Sequence, residues 1–112
     1  MTVTPRDFED RCERGNKIVL ENAPLPIKRF FALDQDVYEE GALPKKTKEL
    51  LGLAASAVLR CDDCIAHHLS EATACGATRD EITETLGIAL VVGGSITIPH
   101  LRFAFEFLEG LT

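Results

Sequence analysis

At 112 residues and 12.3 kDa the chain is long enough for one domain and too short for a second catalytic one. Twelve Lys and Arg against eighteen Asp and Glu leave a net charge of −6, which repels nucleic acid and anionic lipid on average and excludes both as default partners. With 46% hydrophobic and 27% charged residues, the composition is that of a globular protein with a packed core and excludes a disordered or fibrous chain.

The N-terminal stretch Met1 to Asp10 carries acids and no apolar run, so it does not read as a secretory signal. Thr4 before Pro5 reads as an N-cap with proline at the first helical position. Phe8, Cys12, Gly15, Ile18 and Val19 then fall near one face of a first helix, which ends between Asn22 and Pro26. A second helix is predicted from Pro26 to Glu40 on Ile27, Phe30, Phe31, Val37 and Tyr38, with Gly41 closing it.

Pro44 opens a third helix. Its first turn is basic, with Lys45, Lys46 and Lys48, where the helix dipole prefers acids; the simplest reading is a solvated face, able to steer an acidic reductant protein. From Leu50 to Leu59 this helix is apolar nearly all round, which predicts burial on several sides, and Gly52, Ala54, Ala55, Ser56 and Ala57 allow a neighbouring helix to come close. That stretch is ten residues, well under the roughly 20 needed to span a bilayer. No membrane partner is expected, and the cytoplasm is the default location.

A fourth helix begins near Cys61 and stops at Gly76. Thr78-Arg79-Asp80-Glu81 is a capping box that starts a fifth, carried by Ile82, Leu86, Ala89, Leu90 and Gly93 until Gly93-Gly94 and Pro99 interrupt it. A sixth runs from about Pro99 to Leu108. There Phe103 and Phe107 share a face while Phe105 points about 200° away, and two apolar faces call for two partners, the second being another subunit. The expectation is a single all-α domain over residues 1–112, of about six helices, in a homo-oligomer.

The chemistry concentrates in Cys61-Asp62-Asp63-Cys64-Ile65-Ala66-His67-His68. On a helix Cys61, Cys64 and His68 lie within about 60° of one another, with Cys64 and His68 about 6 Å apart along the axis. Two thiols so spaced can form a short-range disulfide, and a histidine one turn beyond the second can accept its proton. Cys61 at the helix N-terminus gains from free N–H groups, whereas Asp62 and Asp63 raise a neighbouring thiol's pKa and increase the need for a base. A c-type haem site is excluded, since Ile65 stands where its histidine would be. A zinc site on Cys61, Cys64, His68 and a fourth ligand, and two merely structural cysteines, are the competing readings. With four cysteines and no secretory signal, a redox dithiol is preferred to a disulfide framework.

Glu49, eleven residues, Cys61-x-x-Cys64-x-x-x-His68, then Gly76-Ala77 and an acidic helix start resemble the alkylhydroperoxidase D-like (AhpD-like) branch of the carboxymuconolactone decarboxylase family. The resemblance is strongest over residues 33–94, and Lys48-Glu49-Leu50 and Gly93-Gly94 fit it too. It implies an all-helical domain assembled as trimers or hexamers, with helices packing between subunits. It also implies Cys64 as the peroxidatic thiol, Cys61 as the resolving and reductant-facing thiol, and His68 with Glu49 as the proton relay. The implied substrate is a hydroperoxide, reduced at the expense of an external dithiol or thiol-protein, with no haem, flavin or metal required. One position departs: Asp63 stands where characterised peroxidase members carry a histidine directly before the second cysteine.

The expected function is therefore a thiol-dependent peroxidase or disulfide oxidoreductase with antioxidant activity. The rivals are a decarboxylase-like acid–base enzyme using His68 and Glu49, and a non-catalytic redox-sensing oligomer. His67 reads as a surface or subunit contact, Cys12 and Cys75 as small core residues, and His100 as a helix-start residue outside the site.

Overall fold

The computed structural model describes residues 4–111. Among them are six helices: α1 (Pro5–Asn22), α2 (Leu25–Tyr38), α3 (Lys45–Val58), α4 (Asp62–Ala74), α5 (Arg79–Gly93) and α6 (Ile98–Leu111), the last entered through a single 3-10 turn, Ser95–Thr97. The all-α reading holds, and most boundaries lie where local signals put them. Thr4 accepts the Asp7 N–H at 3.1 Å, and Pro44 caps the start of α3. The Thr78 hydroxyl accepts the Glu81 N–H at 3.1 Å while Glu81 Oε1 accepts the Thr78 N–H at 2.8 Å, completing the capping box. Gly76 follows α4 at φ +88°, the left-handed conformation in which a side chain would be strained. Gly94 ends α5 at φ +81°, ψ −172°, a region open essentially to glycine alone.

α3 lies against α4 and α5, and α4 against α6. The core at their junction is Leu53 and Ala57 of α3, Ile65, Ala66 and Leu69 of α4, Ile82, Leu86 and Ala89 of α5, and Ala104, Phe107 and Leu108 of α6. Alanines at 57, 66, 89 and 104 are fully covered, and their small size lets the helices approach closely. α1 contributes Phe8, packed edge-on against Phe107 with ring centroids 5.7 Å apart. Phe107→Ala removes that contact and most of a filled ring site, so a loss of about 3–5 kcal/mol is expected in urea unfolding. A loss under about 1 kcal/mol would mean that the Phe8–Phe107 junction is not part of the stabilising core.

Three expectations change. Gly41 does not close α2; the helix stops at Tyr38, with Glu39 extended at its C-cap and Lys48 Nζ donating to the Val37 and Glu39 carbonyls at 2.8 and 2.6 Å. A long-range lysine does what a left-handed glycine does elsewhere. The basic first turn of α3 is therefore not a merely solvated face. Lys45 donates to Glu49, Lys46 to Glu81 and Lys48 to the end of α2, so each charge has a partner that outweighs the dipole at its position. Finally, the apolar stripe of α1 beyond Cys12 stays open, α3 keeps Leu51 exposed, and the largest exposed apolar side chains are not confined to Phe105 on α6. They lie also on α2, where Phe30 is 67% exposed, on α5, where Val91 is 84% exposed, and at the end of α3, where Leu59 is 76% exposed.

Candidate active site

The turn from α3 to α4 sets the position of the two thiols. Arg60 takes φ +61°, a conformation uncommon for a residue with a side chain, and reverses the chain so that the Cys61 N–H donates to the Ser56 carbonyl at 3.1 Å. Cys61 is then the N-cap of α4, and its sulfur accepts the Cys64 N–H at 3.3 Å. The sulfurs of Cys61 and Cys64 are 2.6 Å apart and share a hydrogen bond. A disulfide needs only a short further approach, since its bond length is about 2.05 Å. Cys61 is half-buried and Cys64 exposed.

Sharing a proton with Cys61 pushes the Cys64 thiol up to about 11, reinforced by burial, by the charge of Cys61 and by that of Asp63. At that value roughly one part in 10⁴ is thiolate at pH 7, so attack on an electrophile needs a base. The acids flanking the thiols do not stand alone. Asp63 is paired with Arg11 of α1 (3.1 Å) and Asp62 with His100 of α6 (Nδ1 to Oδ1, 2.8 Å), so His100 belongs to the immediate surroundings of the dithiol. Because Asp63 still raises the Cys64 thiol, Asp63→Asn is expected to speed Cys64 alkylation at pH 7 about threefold, a modest gain because the carboxylate is largely exposed. A slower reaction would show that Asp63 acts through Arg11 and the docking of α1 instead.

One turn after Cys64, His68 is 8% exposed and Glu49, reaching across from α3, 2%. Glu49 Oε1 lies 2.8 Å from His68 Nδ1, and Lys45 Nζ donates to Oε2 at 3.2 Å. The carboxylate thus fixes the imidazole with its proton on Nδ1 and leaves Nε2 free to accept. That nitrogen faces the Tyr38 hydroxyl, 3.4 Å away, with ring centroids 5.2 Å apart, so Tyr38 is more than a position on the apolar face of α2. Burial, then the charges of Glu49, Asp34 and Cys64, push the Tyr38 phenol up and keep it a donor. The one signal available was that Tyr38 is the chain's single tyrosine, at the end of a helix.

All four expected site residues are thus gathered as two pairs, Cys61 with Cys64 and Glu49 with His68. His67 stacks edge-on to His68 at 5.0 Å and lines two adjoining clefts. One, of about 530 Å³, opens onto Tyr38, Glu49 and Glu71; the other, of about 770 Å³, lies between α1 and α4 and includes Cys12. Neither cleft wall includes Cys61 or Cys64. Cys12 is partly buried, and burial with the Asp63 charge raises its thiol pKa; Cys75 is the C-cap of α4.

Among the described residues, Glu49, His67 and His68 offer ligand atoms within 4.8 Å of one another, so these three, rather than Cys61, Cys64 and His68, are gathered as a metal-sized group. Both Glu49 oxygens are already engaged, one by the Lys45 ammonium. Lys45 loses some hydration there, yet the hydrogen bond to Glu49 holds its proton more firmly than usual. A fixed cation at 3.2 Å from one carboxylate oxygen opposes a second cation on the same group.

An all-helical domain with a Cys-x-x-Cys pair at a helix N-terminus, one turn from a buried His–Glu pair, defines a class of helical dithiol proteins. The chain belongs to the carboxymuconolactone decarboxylase family, whose sequence profile matches residues 24–107. Its fold is similar to that of TM1620 from Thermotoga maritima, 56% identical, with a TM-score of 0.92 over 95% of this chain and 93% of that one. A second crystal structure of TM1620 is described as a carboxymuconolactone decarboxylase family protein with a possible involvement in antioxidative response. The family protein lpg0406 of Legionella pneumophila is 34% identical, with a TM-score of 0.79 over 91% of this chain and 90% of that one. Protein 4 of the cox locus of Paracoccus denitrificans is 34% identical over 80 residues, 71% of this chain and 72% of its own.

Proposed function

We propose that the protein is a thiol-dependent peroxidase of the AhpD-like branch, reducing hydroperoxides through Cys61 and Cys64. The observation that carries the reading is the pair of sulfurs 2.6 Å apart at the start of α4, one turn from a buried His68–Glu49 pair. Cys64, the more exposed thiol, loses its proton to the relay and attacks the O–O bond. An S–O bond forms, the O–O bond breaks, and the leaving alkoxide takes up the proton, leaving a sulfenic acid on Cys64. The Cys61 sulfur displaces water to form the disulfide, and an external dithiol restores both thiols by exchange. The antioxidative description of TM1620 supports the same assignment.

The open apolar surface of α2 and α5 supports a homo-oligomer, with trimers or hexamers the expected assemblies. Among the described residues no helix is long and apolar enough to cross a membrane. The test is consumption of cumene hydroperoxide with dithiothreitol or dihydrolipoamide in excess, followed with the intact mass of the protein. Sustained turnover and a loss of two hydrogens on oxidation are expected. A disulfide that forms once without turnover would replace this reading by a sensing role. The relay of Lys45, Glu49, His68 and Tyr38 favours one other reading, an acid–base enzyme of the decarboxylase type, whose activity would survive loss of both cysteines.

A further inference from the structure

We infer that Glu49, His67 and His68 form a binding site for a divalent first-row metal ion, zinc being the ion this donor set suits best, with the Lys45 ammonium as its built-in competitor. The inference goes beyond the dithiol reading: the ion takes no part in peroxide reduction, and none of its ligands is a thiol. Glu49 comes from α3 and the two histidines from α4, and one ligand atom of each lies within 4.8 Å of the other two. His68 Nδ1 and Glu49 Oε1 are 2.8 Å apart. Two atoms bound to one zinc ion at about 2.0–2.1 Å stand about 3 Å from each other, so an ion can replace the proton between them with little movement. His67 stands edge-on to His68 with ring centroids 5.0 Å apart. It is exposed while Glu49 and His68 are buried, and it shares with Glu49 the wall of the 530 Å³ cleft, which gives an ion a path in from solvent. Glu71, one turn after His67, lines the same cleft and can supply a further oxygen. Two imidazoles and a carboxylate are a set that zinc takes with its remaining position open to water, whereas magnesium and calcium prefer oxygen throughout.

The group that holds the ion back is also in place. Lys45 Nζ donates to Glu49 Oε2 at 3.2 Å, and the lysine side chain is 35% exposed, so its ammonium can turn out to solvent when an ion arrives. Binding is then an exchange. The metal enters, the proton shared by His68 and Glu49 leaves to water, and the ammonium gives up the carboxylate. The remaining repulsion between metal and ammonium weakens the site without closing it, since a charge with access to water is well screened. An occupied site withholds His68 from Cys64, so in a working dithiol enzyme the ion is an inhibitor of the relay and not a cofactor.

The test is titration with Co²⁺, a spectroscopic stand-in for Zn²⁺, of the full chain free of any histidine tag, followed by visible absorption and by calorimetry. Because Cys61 and Cys64 can themselves bind such an ion, the titration is run on wild type and on the double variant Cys61→Ser, Cys64→Ser. Saturable binding at micromolar Co²⁺ is expected in both, and in the double variant the bound ion gives visible bands without a thiolate-to-metal charge-transfer band. In that background His67→Ala, a change at an exposed position, is expected to weaken binding about tenfold or more, the loss of one of three ligands. Lys45→Gln is expected to tighten it about tenfold by removing the competing charge. Binding that disappears with the two cysteines, that is indifferent to His67→Ala, or that appears only once Lys45 is replaced would overturn the site as a property of the native protein. Equal affinity in Lys45→Gln and its parent would overturn the competition. No peroxide is present, so a protein that binds Co²⁺ in this way but shows no peroxide turnover would keep the metal site and remove the peroxidase reading instead.

Discussion

Replacing Cys64 by Ser is expected to abolish hydroperoxide turnover, by about three orders of magnitude or more, at unchanged helicity and thermal midpoint. The substitution is nearly isosteric at an exposed position, so it touches the core little; what it removes is the nucleophile. Cys61→Ser should behave differently. Its hydroxyl can still cap α4 and accept the Cys64 N–H, so Cys64 remains placed to attack, but no second sulfur stands 2.6 Å away to resolve the product. Intact mass should then show single oxygen addition, advancing to two or three oxygens under excess peroxide. Equal turnover in Cys61→Ser and wild type would move resolution to another thiol, and full activity in Cys64→Ser would sink the peroxidase assignment.

Local physics made most of this protein legible. The two cysteines and His68 share a turn-by-turn register on one helix, and α4 is bounded by signals within its own segment, from the Cys61 N-cap to Gly76. The Glu49–His68 pair crosses 19 residues, and spacing alone did not place it; the family pattern did. What stayed hidden was every contact whose partner comes from a distant element. Arg11 meets Asp63 across 52 residues and His100 meets Asp62 across 38, so two acids that look hostile to a thiolate are partly compensated. Tyr38 meets His68 across 30 residues, through a gap that exists because residue 52 has no side chain. Gly41 resembles a helix stop by residue type, but Lys48 had already closed α2. Glycine preference is a local bias of about 1 kcal/mol, and a charged donor on two carbonyls outweighs it.

Removing the Glu49 carboxylate should injure both stability and catalysis, and the two effects can be separated. In Glu49→Ala the His68 Nδ1–H, now nearly buried, has no acceptor, and Lys45 loses its anion. An orphaned buried donor, with a smaller cost from the lost Lys45 pair, whose lysine end is a third exposed, predicts a loss of about 2–3 kcal/mol in urea unfolding. Without a carboxylate to steady the imidazolium, peroxide turnover should fall about a hundredfold as well. Glu49→Gln distinguishes the parts. Its amide oxygen can still accept from Nδ1 and hold the ring, so the stability loss should shrink to about 1 kcal/mol. It carries no charge to favour the imidazolium, so the rate loss should remain. If Gln restored the rate along with the stability, Glu49 would only orient the ring. A rate that stays low in a stable, folded Gln variant would make the carboxylate's charge the part that matters, and His68 the base it serves.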